Sequence, residues 1–186
     1  MDFTLTADEK RILLAAARTA IREKLGARGL SFPEPTPTLR VNCGAFVTLH
    51  KQGKLRGCIG QVTASKPLME TVREVAVASA LRDPRFPPLQ SEELERIEIE
   101  ISVLSPLEPV KSIEDIQVGT HGIMLRQGFR SGLLLPQVAT EYGWDRETFL
   151  SHTCQKAGLA GDCWRDSRTQ IEIFSAIVFG EKELQA

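Results

Sequence analysis

Among the 186 residues, the run Arg56-Gly57-Cys58-Ile59-Gly60 has the side-chain types and spacing best suited to chemistry. A thiol stands two residues from a guanidinium on a stretch that reads as a strand. The two then share a face about 6.5 Å apart, with glycines on either side admitting close backbone approach. On this reading Arg56 favours the thiolate or binds an anion beside it, and the backbone of Gly57 and Gly60 helps to hold the anionic group. The alternative is plain packing, since a free cysteine is commonly a small buried hydrophobe. The residues alone leave both readings open.

A second cluster, Leu81-Arg82-Asp83-Pro84-Arg85-Phe86-Pro87-Pro88, sets two arginines, a carboxylate and an aromatic ring in a proline-stiffened loop. Arg85 and Phe86 held there would suit a planar or anionic ligand. Equally, Asp83 would cap a turn, Phe86 fill the core and Arg85 pair with a surface acid. His121, at the start of a strand, is a candidate base to a thiol. His50 reads as solvated. His152 and Cys154, two apart on a helix, point to different faces and so do not suggest a metal site. The four cysteines (Cys43, Cys58, Cys154, Cys163) form no C-x-x-C and read as reduced thiols. With no zinc spacing, phosphate-binding glycine loop or Gly-x-Ser-x-Gly elbow, neither metal nor cofactor is expected.

These side chains need a frame to hold them. Thr6 and Glu9 make a capping box, after which Ile12, Leu13, Ala16, Ala20 and Leu25 recur at helical spacing up to Gly26. The prolines of residues 31–38 predict a stiff connector. Residues 43–50 and 55–62 flank a glycine turn and predict a hairpin, in which Leu49 opposes Arg56 and Val47 opposes Cys58. A helix opens at Pro67 and stops at Asp83-Pro84, Ser91 caps a short helical turn, and Ile97–Val103 alternates as a strand. A second hairpin turns at Gln127-Gly128. Helices follow from Pro136 and from Asp145, and a strand spans 170–179.

The order recurs. Gln52-Gly53 and Gly57 match Gln127-Gly128 and Gly132 at an offset of 75, Gln61-Val62 matches Gln137-Val138 at 76, and Ile97-Glu98-Ile99 matches Ile171-Glu172-Ile173 at 74. The expectation is a single domain over 1–186, with an N-terminal helix over about 6–26, repeat one over about 40–105 and repeat two over about 119–180. The fold class is α+β, an internal duplication of a three-strand plus two-helix unit sharing one mainly antiparallel, barrel-like sheet. Within that duplication Gly57 corresponds to Gly132, but Cys58 corresponds to Leu133, so only one copy carries the thiol.

A hydrophobic fraction of 42% and 23 Lys+Arg against 24 Asp+Glu fit a soluble chain with no general field for nucleic acid, which is disfavoured as a partner. The first residues are acidic where a signal peptide would be basic, and no run approaches the roughly 20 apolar residues of a membrane helix. A cytoplasmic location and no membrane partner are expected.

Leu55-Arg56-Gly57-Cys58-Ile59-Gly60 resembles the motif of the AMMECR family, called system protein A of the AmmeMemoRadiSam set in microbes. Further similarity lies in Ser79–Phe86, Gly119–Gly122, Leu135–Ala139 and Cys154–Leu159, which together cover nearly the whole chain. The resemblance implies an α+β fold of two β-β-β-α-α-type repeats and a pathway or complex shared with a Memo-type protein and a radical-SAM protein. It implies no reaction. The expected function is an enzyme or enzyme component of a small-molecule or protein modification pathway, with Cys58 as thiolate nucleophile and His121 as base. Arg56, Gly57 and Gly60 hold an anionic group, Arg85 assists, and Asp83, Arg85 and Phe86 join them in binding the substrate or partner. The alternative is a non-catalytic adaptor or ligand-binding module that docks a partner protein through the Leu-Arg-Gly-Cys-Ile-Gly face.

Overall fold

In the computed structural model, which describes residues 3–63 and 65–184, the Thr6–Glu9 capping box forms as expected: each side chain takes the other's amide. Helix α1 (Ala7–Lys24) follows, burying Leu13, Ala16, Ala17 and Ile21. The proline connector is fastened rather than loose. The Thr36 hydroxyl donates to Glu9 at 2.6 Å, and the Arg73 guanidinium lies 3.6 Å from the centre of the Phe32 ring. That hydrogen bond from Thr36, with those from Thr6, holds the Glu9 carboxyl down to about 2.

Strands β1 (Ala45–Lys51) and β2 (Lys54–Gln61) make the predicted hairpin, with positive φ at both Gln52 (54°) and Gly53 (74°) as a type I′ turn requires. Its register departs from expectation. Lys51 opposes Lys54 and His50 opposes Leu55, but Leu49 opposes Gly57 and Thr48 opposes Cys58. Arg56 is the extra residue of a β-bulge, and its insertion replaces the expected Leu49–Arg56 and Val47–Cys58 pairs. Gly57 thereby faces the core with Leu49, while Cys58 shares the other face with Thr48.

Helix α2 (Leu68–Leu81) packs on this hairpin, a 3₁₀ turn spans Ser91–Arg96 with Gln90 rather than Ser91 at its cap, and β3 (Ile97–Leu104) pairs with β1 in the order β2-β1-β3. The second part begins with the two-residue strand β4 (Glu108–Pro109), which the sequence did not suggest. The hairpin of β5 (His121–Gln127) and β6 (Arg130–Leu134) comes next, then α3 (Pro136–Glu141), α4 (Arg146–Lys156), β7 (Gln170–Gly180) and α5 (Glu181–Leu184). Gln127 pairs with Arg130, so the second turn is Gly128-Phe129 rather than Gln127-Gly128. Of these two only Gly128 has positive φ (61°), so the two hairpins do not share one turn chemistry.

The chain divides into two compact units, Met1–Leu104 with Ile177–Ala186, and Ser105–Ala176. Every pairing of strands described is antiparallel, and the fold is α+β. The first unit has a core of α1, α2 and the inner faces of β1 and β3, closed by Phe179. Arg18 clamps it, donating Nε and one terminal nitrogen to Glu181 at 2.7 Å each and further bonds to the Leu94 and Ile97 carbonyls. The second unit centres on Ile123, Leu125, Phe149, Leu150 and the pair Cys154–Cys163. Those two cysteines form a disulfide, which corrects the expectation that all four are reduced; Cys43 and Cys58 are free. They lie nine residues apart in sequence, a spacing that matches no motif. Among the described residues no helix is long and apolar enough to cross a membrane.

Candidate functional site

The glycines of the Arg56–Gly60 run are packing residues. A Cβ at Gly57 would overlap the Ser79 carbonyl oxygen of α2, and one at Gly60 would overlap the Phe46 ring, so the close approach they allow is to the protein's own helix and side chain. Ser79, 1% exposed, completes the junction: its hydroxyl accepts from the Ile59 N–H at 2.8 Å and lies 2.7 Å from the Val47 carbonyl oxygen, which accepts its proton.

One turn beyond Ser79, α2 ends at the Asp83 loop, and this loop holds residue 58 at both backbone ends. Asp83, 4% exposed, accepts from the Cys58 N–H at 2.8 Å. Arg85 donates to the Asp83 carboxylate at 2.7 and 3.0 Å and to the Cys58 carbonyl at 3.2 Å. An edge strand has outward N–H and C=O groups to satisfy, and an ion pair does so here. The Arg85 guanidinium holds the Asp83 carboxyl well below the usual carboxylate range, and Asp83 in turn raises Arg85. The Arg85 side chain is 55% exposed, its terminal NH1 makes no hydrogen bond among the described residues, and it lies 5.5 Å from the centre of the half-buried Phe86 ring. The Cys58 sulfur is half-buried and 3.2 Å from the Thr48 hydroxyl, which donates to it. Cys43 contrasts with it: fully buried, its thiol is pushed up to about 11 by desolvation.

The predicted companion of the thiol is elsewhere. Through the bulge Arg56 turns to Glu93 of the 3₁₀ turn, donating at 2.9 and 3.2 Å, and Lys51 joins at 2.7 Å. Arg56, first among these partners, holds the Glu93 carboxyl down to about 2. The cation whose hydrogen bonds reach residue 58 is Arg85. His121 belongs to the Ser105–Ala176 unit, where its Nδ1 accepts from the Gln117 N–H at 3.1 Å, while Arg56, Gly57, Cys58, Gly60, Asp83, Arg85 and Phe86 belong to the other.

Three site residues were not anticipated. Thr48 follows from the register only once the bulge is recognised, and Ser79 reads in sequence as one more small residue on a helix stripe. Glu93 had a signal, since it stands three residues after Gln90 and completes a capping box.

The model of the family described as AMMECR1 matches residues 14–179. A protein of Methanothermobacter thermautotrophicus is 49% identical over 185 residues, covering 95% of this chain and 96% of its own. One of Methanopyrus kandleri is 47% identical, with 96% and 91% covered. The crystal structure of uncharacterized protein PH0010 from Pyrococcus horikoshii is similar at TM-score 0.77 and 41% identity, over 96% of this chain and 94% of that one.

Proposed function

The chain belongs to the AMMECR1 family, and on that premise we propose that it is an enzyme or enzyme component in which Cys58 is the nucleophile. The reaction is acyl transfer on a small molecule or a protein. The Cys58 thiolate attacks the acyl carbon, a carbon–sulfur bond forms as the leaving group departs and takes a proton from solvent, and water or a second acceptor then removes the acyl group from sulfur. The amide of the nucleophile's own residue, a common oxyanion donor, is committed to Asp83, so the donor left for the developing oxyanion is Arg85 NH1. Asp83 is the positioning residue, fixing both the Cys58 backbone and the guanidinium. The observation that carries this reading is that a half-buried sulfur with a hydroxyl donor stands beside a half-exposed cation fixed by a buried acid.

We keep the cytoplasmic location expected from the acidic first residues and the absence of a long apolar run, and take from the family resemblance a pathway or complex with a Memo-type protein and a radical-SAM protein. The adaptor reading draws on Leu55, 41% exposed on the same strand as Cys58. It expects Cys58→Ser to be mild and Arg85→Ala or Phe86→Ala to weaken capture of the partners.

The test incubates the full chain with acyl thioesters and aryl esters and follows intact mass. A single acyl adduct forms, disappears in Cys58→Ala, and forms at least tenfold more slowly in Arg85→Ala. An adduct that persists in Cys58→Ala, or acylation of Cys58 no faster than that of a simple aliphatic thiol, overturns the proposal.

A further inference from the structure

The segment that leaves α4 is held by a bond of a different kind from its counterpart after α2. Gly57 lies against the Ser79 carbonyl and Gly132 against the Thr153 carbonyl, and the hydroxyl of each of these helix residues lies 2.8 Å from the carbonyl oxygen four residues back. Ser79 and Thr153 therefore occupy the same place on their helices. The residues one further on are Ala80 and Cys154. Nine residues beyond Ala80 stands Leu89, 1% exposed, whose amide donates to the Ala80 carbonyl at 2.8 Å. Nine residues beyond Cys154 stands Cys163, and there the link is the disulfide.

The start of the second segment is tied by Arg130, which donates to the Gly158 carbonyl at 2.7 Å, and by the Leu159 amide on the Cys154 carbonyl at 3.0 Å, but the side-chain hold farther along is light. The Trp164 indole N–H meets the Ser151 hydroxyl at 3.4 Å, and Arg165 pairs with Glu147 at 3.3 Å with both side chains more than 60% exposed. Nearer the strand, Gln127 donates to Asp166 at 3.1 Å and Thr169 to the Cys163 carbonyl at 2.6 Å. Cys163, 7% exposed, also lines a surface depression with Leu159, Asp162 and Arg165, which gives a small thiol a route to its sulfur.

We propose that the Cys154–Cys163 disulfide is a redox-labile latch that docks residues 158–169 while oxidised and releases them when a dithiol reduces it. The thiolate of the reductant attacks the Cys163 sulfur, forms a mixed disulfide and expels the Cys154 thiolate. The second thiol of the reductant then closes its own disulfide and frees Cys163, so two electrons and two protons pass to the protein and the dithiol leaves oxidised. Release uncovers the partly buried Leu159 and Trp164, whereas Leu89 keeps the matching segment of the first unit docked under either condition.

Dithiothreitol on the full chain is the probe. Denatured without reductant, the protein shows two titratable thiols, Cys43 and Cys58, and after reduction four. Amide exchange across 158–169 speeds at least tenfold on reduction while 82–96 is unchanged, and a Cys154→Ser/Cys163→Ser variant exchanges like the reduced protein and ignores dithiothreitol. Four thiols in protein kept under air, unchanged protection of 158–169 after reduction, or loss of protection throughout the chain would each overturn the latch.

Discussion

In one unit Gly57 of β2 lies against the Ser79 carbonyl of α2, and in the other Gly132 of β6 lies against the Thr153 carbonyl of α4. Around this shared contact the side chains differ. Cys58 faces Thr48, where Leu133 faces Met124. Four and six residues beyond the contact, α2 leads to Asp83 and Arg85, and α4 leads to Ala157 and Leu159. The first hairpin has a bulge at Arg56, and the second keeps an unbroken register. A strand and a helix can thus pack on one glycine contact with an apolar pair, Met124 and Leu133, where the first hairpin has Thr48 and Cys58, so that contact does not require the Thr48–Cys58–Asp83–Arg85 set.

Substituting the shared contact should have the largest effect. Gly57→Ala would force a Cβ into the Ser79 carbonyl. Gly132→Ala would bring one to 2.6 Å from the Ala157 nitrogen and 2.7 Å from the Thr153 oxygen. Each should lose about 3 kcal/mol in urea denaturation. A loss under about 0.5 kcal/mol at either would show that the two contacts are not equivalent.

Asp83→Ala comes next, at about 2–3 kcal/mol, because the Cys58 amide and Arg85 lose their buried acceptor. The second unit has only Ala157 at that place, so hydrogen exchange should speed along β2 and leave β6 untouched.

Acid should loosen the first unit at its ion pairs, and in the second unit Asp166, held down to about 2 by its hydrogen bonds from Arg168, titrates over the same range. A carboxyl held lower in the folded chain than in the unfolded one stabilises above its unfolded value and loses that contribution as pH falls through the folded value. For Glu93 the window runs from 4.5 to about 2, with Glu9 over the same range and Asp83 extending it lower. Exchange protection in the first unit should fall across that range, and Glu93→Gln should flatten the fall. A pH-independent first unit would contradict the ion pairs described.

The smallest change in stability belongs to the conversion of one hairpin face into the other. Thr48→Met with Cys58→Leu enlarges two half-buried side chains and should cost only about 1 kcal/mol, the low end for added volume, while abolishing acylation. A collapse of the fold would make the sulfur a structural residue.

The helices, both hairpins and the two long strands were legible because hydrophobic period, caps and glycine turns act locally. The bulge was not. It depends on Arg56 finding Glu93, a partner on the far side of α2 in sequence, and the one-residue insertion moved every cross-strand pair from Gly57 onward. The difference between Cys58 and Leu133 is read from spacing along a single strand of each hairpin and needs no long-range contact. The assignment of the neighbouring cation to Arg56 failed, because it rests on which face a bulged residue takes. Asp83, Arg85 and Phe86 were singled out as a stiff loop, yet that Asp83 would bind the Cys58 amide is a tertiary fact with no local signature.

The most direct measurement is the rate of Cys58 alkylation by iodoacetamide from pH 5 to 9, read by peptide mass in the wild-type chain, Arg85→Ala and Thr48→Val. Cys58 should label faster than a simple aliphatic thiol at neutral pH, and each substitution should slow it severalfold while the fold stays intact. Labelling no faster than that thiol and indifferent to both substitutions would contradict a nucleophilic Cys58.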